Sequence, residues 1–141
     1  FLTRFGDAFN YHLELKDDHP ETARVTLEML AATGTHKVVL SSFRLSQLRR
    51  VREQDASIPL AWLAKTVSEE TWEEARALRL THLAPKAALI DAALLARAEA
   101  EELIVRAWGC PRTEAEARAT VERLAATSCV GITVDNLTWF S

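Results

Sequence analysis

The sequence is sparing with the residues that mark several protein classes. It holds two cysteines and four glycines among 141 residues. Two cysteines make no disulfide framework, and no CxxC or Cys/His spacing suited to zinc occurs. Cys110 follows one strand-like run and Cys129 begins another. In neighbouring parallel strands they would sit at opposite ends of the sheet, roughly 20 Å apart at about 3.3 Å per residue, beyond disulfide reach. Reduced thiols and a cytoplasmic setting are the expectation. Neither GxGxxG nor GxxxxGKS/T is present, which removes the glycine turns of nucleotide-binding open sheets. No apolar run approaches the ~18–20 residues of a membrane-spanning helix and no signal peptide is visible, so no integral membrane segment is expected. An excess of basic charge is missing too: the formal net charge is −3. The most basic run, FRLSQLRRVRE, has the spacing of a solvated helix face, and nucleic acid is not expected as a partner.

What is present is regular. The length suits one domain spanning residues 1–141, with a core of useful size. Strand-like runs fall at 11–16 (YHLELK), 37–42 (KVVLSS), 58–63 (IPLAWL), 81–84 (THLA), 103–108 (LIVRAW) and 129–134 (CVGITV), separated by amphipathic helical runs. Pro20 suits a first helical position and Gly34 a residue just past a helix end. Thr71 with Glu74, and Thr113 with Glu116, have capping-box spacing, and Asp91 can cap AALLARAEAEE. Strands that recur about every 21–26 residues with a helix between each pair are units of a parallel α/β sheet. Six strands and five helices leave an α/β barrel or an open doubly wound sheet.

The first strand favours the barrel. His12, Glu14 and Lys16 share one alternation parity, and Tyr11, Leu13 and Leu15 the other. A half-exposed edge strand explains such a pattern, whereas a strand in an open parallel sheet covered on both faces does not. In a barrel one parity faces the lumen, and Lys16 then lies nearest the C-terminal mouth, where barrel active sites are built.

At these residues the chain resembles the glycerophosphodiester phosphodiesterase family. YHLELK is similar to that family's I-E-I-K strand. VVLSSFRLSQLRRVREQDASIPLAWL resembles its strand–helix–strand passage with an S-S-F turn. LTHLAPKAALIDAALLARAEAEELIVRAW resembles the approach to a W-T-V-N strand, and CVGITVDN a closing G-I-x-T-D strand. Two passages differ: Gly109, Cys110 and Pro111 follow Trp108 in place of T-V-N, and Asp135 matches the family while its neighbours do not.

The resemblance implies a phospholipase-C-like (β/α)8 barrel, of which this chain carries the C-terminal three-quarters. The H-R-G and E-x-D strands, with the acid/base histidines, belong to the first two βα units and are absent. It implies hydrolysis of glycerophosphodiesters to an alcohol and sn-glycerol 3-phosphate. A divalent metal ion, Mg²⁺ or Ca²⁺, would be bound by carboxylates. Glu14 is the matching metal ligand and Lys16 the matching phosphate contact. Trp108 at the mouth would wall the substrate pocket, with Trp62 and His82 as further substrate-binding candidates and His12 placed to orient Glu14. Ser41, Ser42 and Phe43 are expected to shape a turn. No catalytic residue is expected on this chain, which would be inactive alone. The competing expectation is an inert barrel remnant whose exposed edges associate with another chain or with the missing segment as an interaction module.

Overall fold

The computed structural model describes residues 2–140. After a short helix α1 (Leu2–Phe5), strands and helices alternate: β1 (Tyr11–Glu14), α2 (Thr22–Thr33), β2 (Val38–Ser42), α3 (Leu45–Gln54), β3 (Leu60–Ala64), α4 (Glu69–Ala77), β4 (His82–Pro85), α5 (Ala92–Ala100), β5 (Ile104–Val105) and α6 (Glu114–Ala125). All strand pairs are parallel, and the sheet order is β1-β2-β3-β4-β5. The order never reverses. A doubly wound sheet must reverse at its switch point, so this is the winding of a barrel, here an open part of one.

The register assigns faces without ambiguity. Leu40 pairs with Leu60, and Leu83 with Val105. All four are buried under the helices, with Leu48 and Val51 of α3 and Trp72 and Ala75 of α4 packed into the same core. The opposite parity aligns Glu14 with Ser41, Ser41 with Ala61, and Ala61 with His82. That face carries small or polar side chains at its centre, which leaves room rather than filling it.

Several local expectations shift. Gly34 ends α2 at φ 63°, where glycine avoids a Cβ clash. Asp91 caps α5 by accepting from the Leu94 N–H at 2.8 Å. Pro20 instead lies in the turn before α2, which begins at Thr22. Helix α4 starts earlier than its spacing implied. Ser68 is the N-cap, and the Thr71 hydroxyl at the third position accepts from the Ser68 N–H at 3.0 Å. The largest difference is at the end of the sheet. The run 103–108 is a regular strand only at Ile104–Val105, and 129–134 reduces to a single parallel bridge between Ala107 and Ile132. Gly109 at φ 73° turns the chain out of the sheet there.

Candidate active site

The lumen-facing residues border a cavity of about 410 Å³ on the C-terminal side of the strands. Strand β1 contributes His12 and Glu14, β2 and its following turn Ser41 and Phe43, and β4 His82. The segment after β5 contributes Arg106, Trp108 and Arg112, and Asp135 closes the far side.

Buried polar contacts hold this rim. The Ser42 hydroxyl, fully buried, donates to the Leu15 carbonyl at 2.7 Å and accepts from the Arg44 N–H at 3.0 Å. The Ser41 hydroxyl donates to the Leu13 carbonyl at 3.3 Å. Both serines thus tie the end of β1 to the turn after β2. Gln47, buried on α3, donates its amide to the carbonyls of Asp17 and His19 at 3.2 and 2.9 Å. The loop following β1 is therefore fixed to α3. At the mouth, Trp108 meets Phe43 edge to face at 4.8 Å and donates its indole N–H to the Ala64 carbonyl at 3.3 Å. Lys65 places its ammonium 5.7 Å from the other ring of this pair, Phe43.

Deeper in the lumen, His12 and His82 lie edge to face with ring centroids 5.7 Å apart. Burial, and then the charge of Arg106, lower the pKa of His12. His82 falls further, to about 4, through burial first and then the charges of His12 and Arg106. Both are neutral at physiological pH, and Nδ1 of His82 shares a 2.8 Å hydrogen bond with the Thr81 hydroxyl. Cys110 is pushed up by burial and by Asp135, so it stays a thiol.

Of the residues singled out from sequence, Glu14, His82 and Trp108 line the cavity, while Lys16 and Trp62 do not. Lys16 is exposed two residues past the end of β1, beyond the last registered pair. Trp62 pairs in register with Ser42 and Leu83, the helix-facing parity, and packs against the core. The expectation that it stands at the mouth like Trp108 is not met. Arg106, Arg112 and the Phe43 ring were not anticipated as pocket residues. An arginine inside the apolar run LIVRAW, at the parity of Trp108, was the available signal for the first.

Among the described residues no group of three or more His, Cys, Asp or Glu is placed to hold a metal ion. Glu14 offers one carboxylate free of ion pairs with described residues, whereas hard cations take six or more oxygen ligands. These residues alone do not compose a metal centre.

The fold and the placement of the site define an α/β-barrel protein with a polar, aromatic-walled cavity at the C-terminal end of its strands. Residues 10–138 match the model of the glycerophosphoryl diester phosphodiesterase family, and the chain belongs to that family. No curated protein sequence gives a significant match. Among solved structures, it is similar to a glycerophosphodiester phosphodiesterase from Agrobacterium tumefaciens, with TM-score 0.75 and 12% identity over 99% of this chain and 58% of that one. A second, from Parabacteroides distasonis, gives TM-score 0.71 and 17% identity over 88% and 52%. A phosphodiesterase from Oleispira antarctica in complex with the product sn-glycerol-3-phosphate gives 0.64 and 16% over 80% and 45%. The chain spans about half the length of these structures. At such identities they establish the fold.

Proposed function

We propose that the protein carrying this chain hydrolyses glycerophosphodiesters, releasing an alcohol and sn-glycerol 3-phosphate. The supporting observation is the family match from residue 10 to 138, together with Glu14 at the rim of a cavity on the catalytic side of the sheet. The reaction must neutralise an anionic phosphoryl group and protonate a leaving alkoxide. A divalent ion, Mg²⁺ or Ca²⁺, would supply charge neutralisation when bound. Glu14 would be one of its ligands, and the others would lie outside these residues. Lys16, two residues past the end of β1, would contact a phosphate oxygen as the substrate seats over the rim. Trp108 and Phe43 form a rigid apolar wall for the glycerol carbons, and His82 a neutral polar floor. The lowered pKa values of His12 and His82 disfavour their protonated forms and so argue against either as the general acid.

The test is metal-dependent release of glycerol 3-phosphate from glycerophosphocholine by the natural full-length protein. Loss of that activity in Glu14→Gln supports the reading, and undiminished activity in that variant removes it. The competing reading is an inert barrel segment serving as an interaction module. Absence of hydrolysis with any divalent cation would favour it.

A further inference from the structure

Every strand is followed within two residues by a cation: Lys16 after β1, Arg44 after β2, Lys65 after β3, Lys86 after β4 and Arg106 after β5. Arg112 adds a sixth on the loop beyond. Six helix-borne arginines behave differently. Arg24, Arg49, Arg50, Arg76, Arg97 and Arg118 each pair with a carboxylate, whereas none of the mouth cations makes an ion pair with a described residue. Six cations without an ion pair to a described residue thus gather at one end of the sheet, in a chain of net charge −3.

This charge has a place to act. A second cavity of about 560 Å³ adjoins the main one and shares Gly109, Cys110 and Arg112 with it. Lys86, Arg123 and the Thr120 hydroxyl complete its polar lining, and no carboxylate among the described residues borders it. Arg123 is locked in place, donating to the carbonyls of Ile90 and Ala87 at 2.9 and 2.8 Å. Its charge is thus a fixed part of the field. Gly109 lies between the cavities, and a Cβ there would stand 3.1 Å from Cγ of Lys86. The bare backbone lets the lysine stem lie against it at the boundary of the two cavities.

We propose that the adjoining cavity is a subsite for a second anionic group on the alcohol portion of the substrate. The enzyme then prefers glycerophosphodiesters whose alcohol carries a phosphate or carboxylate over those with a neutral or quaternary-ammonium alcohol. The proposal rests on the hydrolase reading above. A diester seated between Glu14 and Trp108 would direct its alcohol past Gly109 toward Lys86 and Arg112, with Asp135 on the side of the main cavity and no carboxylate among the described lining residues of the second. Charge-assisted contacts of this kind discriminate by about 10-fold or more.

The experiment compares kcat/KM of the natural full-length protein for glycerophosphoglycerol and glycerophosphoglycerol phosphate, which differ by one terminal phosphate. A ratio of about 10 or more is expected at low ionic strength, falling several-fold in Lys86→Ala and recovering in Lys86→Arg. A wild-type ratio near one, or a ratio unchanged in Lys86→Ala, overturns the subsite. If neither compound is hydrolysed, the hydrolase reading fails on its own. Calorimetric binding of the same two compounds then decides: tighter binding of the phosphorylated one, lost in Lys86→Ala, supports the subsite, and equal binding overturns it.

Discussion

The imidazoles of His12 and His82 touch edge to face at 5.7 Å, although β2 and β3 lie between their strands. In a flat sheet, three strand intervals at about 4.8 Å would hold them roughly 14 Å apart. The contact is therefore a measure of how far the sheet has curled toward a barrel, and it ties the stability of the lumen to pH.

The sign of that dependence follows from the direction of the shifts. His82 moves from 6.5 to about 4 on folding and His12 also moves down, so the unfolded chain binds more protons between those values. The stabilisation is complete above about pH 6.5 and is lost as pH falls toward 4. At about 1.4 kcal/mol per unit, discounted for solvent screening at the cavity, His82 contributes on the order of 1–2 kcal/mol. Thermal melts from pH 7 to 4.5 should show a decline that is visibly flatter in His82→Asn. An equal slope in both proteins would show that the imidazole does not set it.

On the proposed function, Glu14→Gln should lower metal-dependent hydrolysis by about 10²-fold or more while shifting stability by under about 0.5 kcal/mol, because the side chain is exposed. Kinetics and urea unfolding on the same preparation separate the two effects.

Ser42→Ala removes the hydroxyl that serves both the Leu15 carbonyl and the Arg44 N–H. The Leu15 carbonyl loses its side-chain partner in a buried place and the Arg44 N–H loses one in a half-buried place, and a cost of about 1–3 kcal/mol is expected. Ser42→Thr, which keeps the hydroxyl, should recover part of it in denaturant titration.

Trp108→Ala loses the ring contact with Phe43 and the bond to the Ala64 carbonyl, together about 2 kcal/mol. Trp108→Phe keeps a ring and should cost about half as much. On the functional reading, KM should rise in the alanine variant and stay near the parent value in the phenylalanine one.

Much of this architecture was legible in the chain because the periodicities were strong. Glu14 stands at the lumen parity that alternation implies, and Asp91 and Gly34 bound their helices by local chemistry that needs no tertiary partner. The misplacements have a common origin in register and twist. Trp62 lies near the end of an apolar strand run much as Trp108 does, and only pairing with Ser42 and Leu83 shows it to face the helices. Lys16 keeps the parity of Glu14, but β1 ends first, so alternation no longer governs it. CVGITV has strand-like residues yet gains only one bridge, since regular strand requires a neighbour along its length. The His12–His82 contact depends on curvature and has no trace in either segment alone.

The unbroken strand order has a kinetic meaning. Tyr11 reaches forward only to Val38, Leu40 to Leu60, Ala61 to His82, and His82 to Ile104. No pairing waits on a distant segment, so chain-closure entropy enters in small, similar instalments. Each βα unit can dock on an edge its predecessor has already laid down, in the order in which the ribosome releases them.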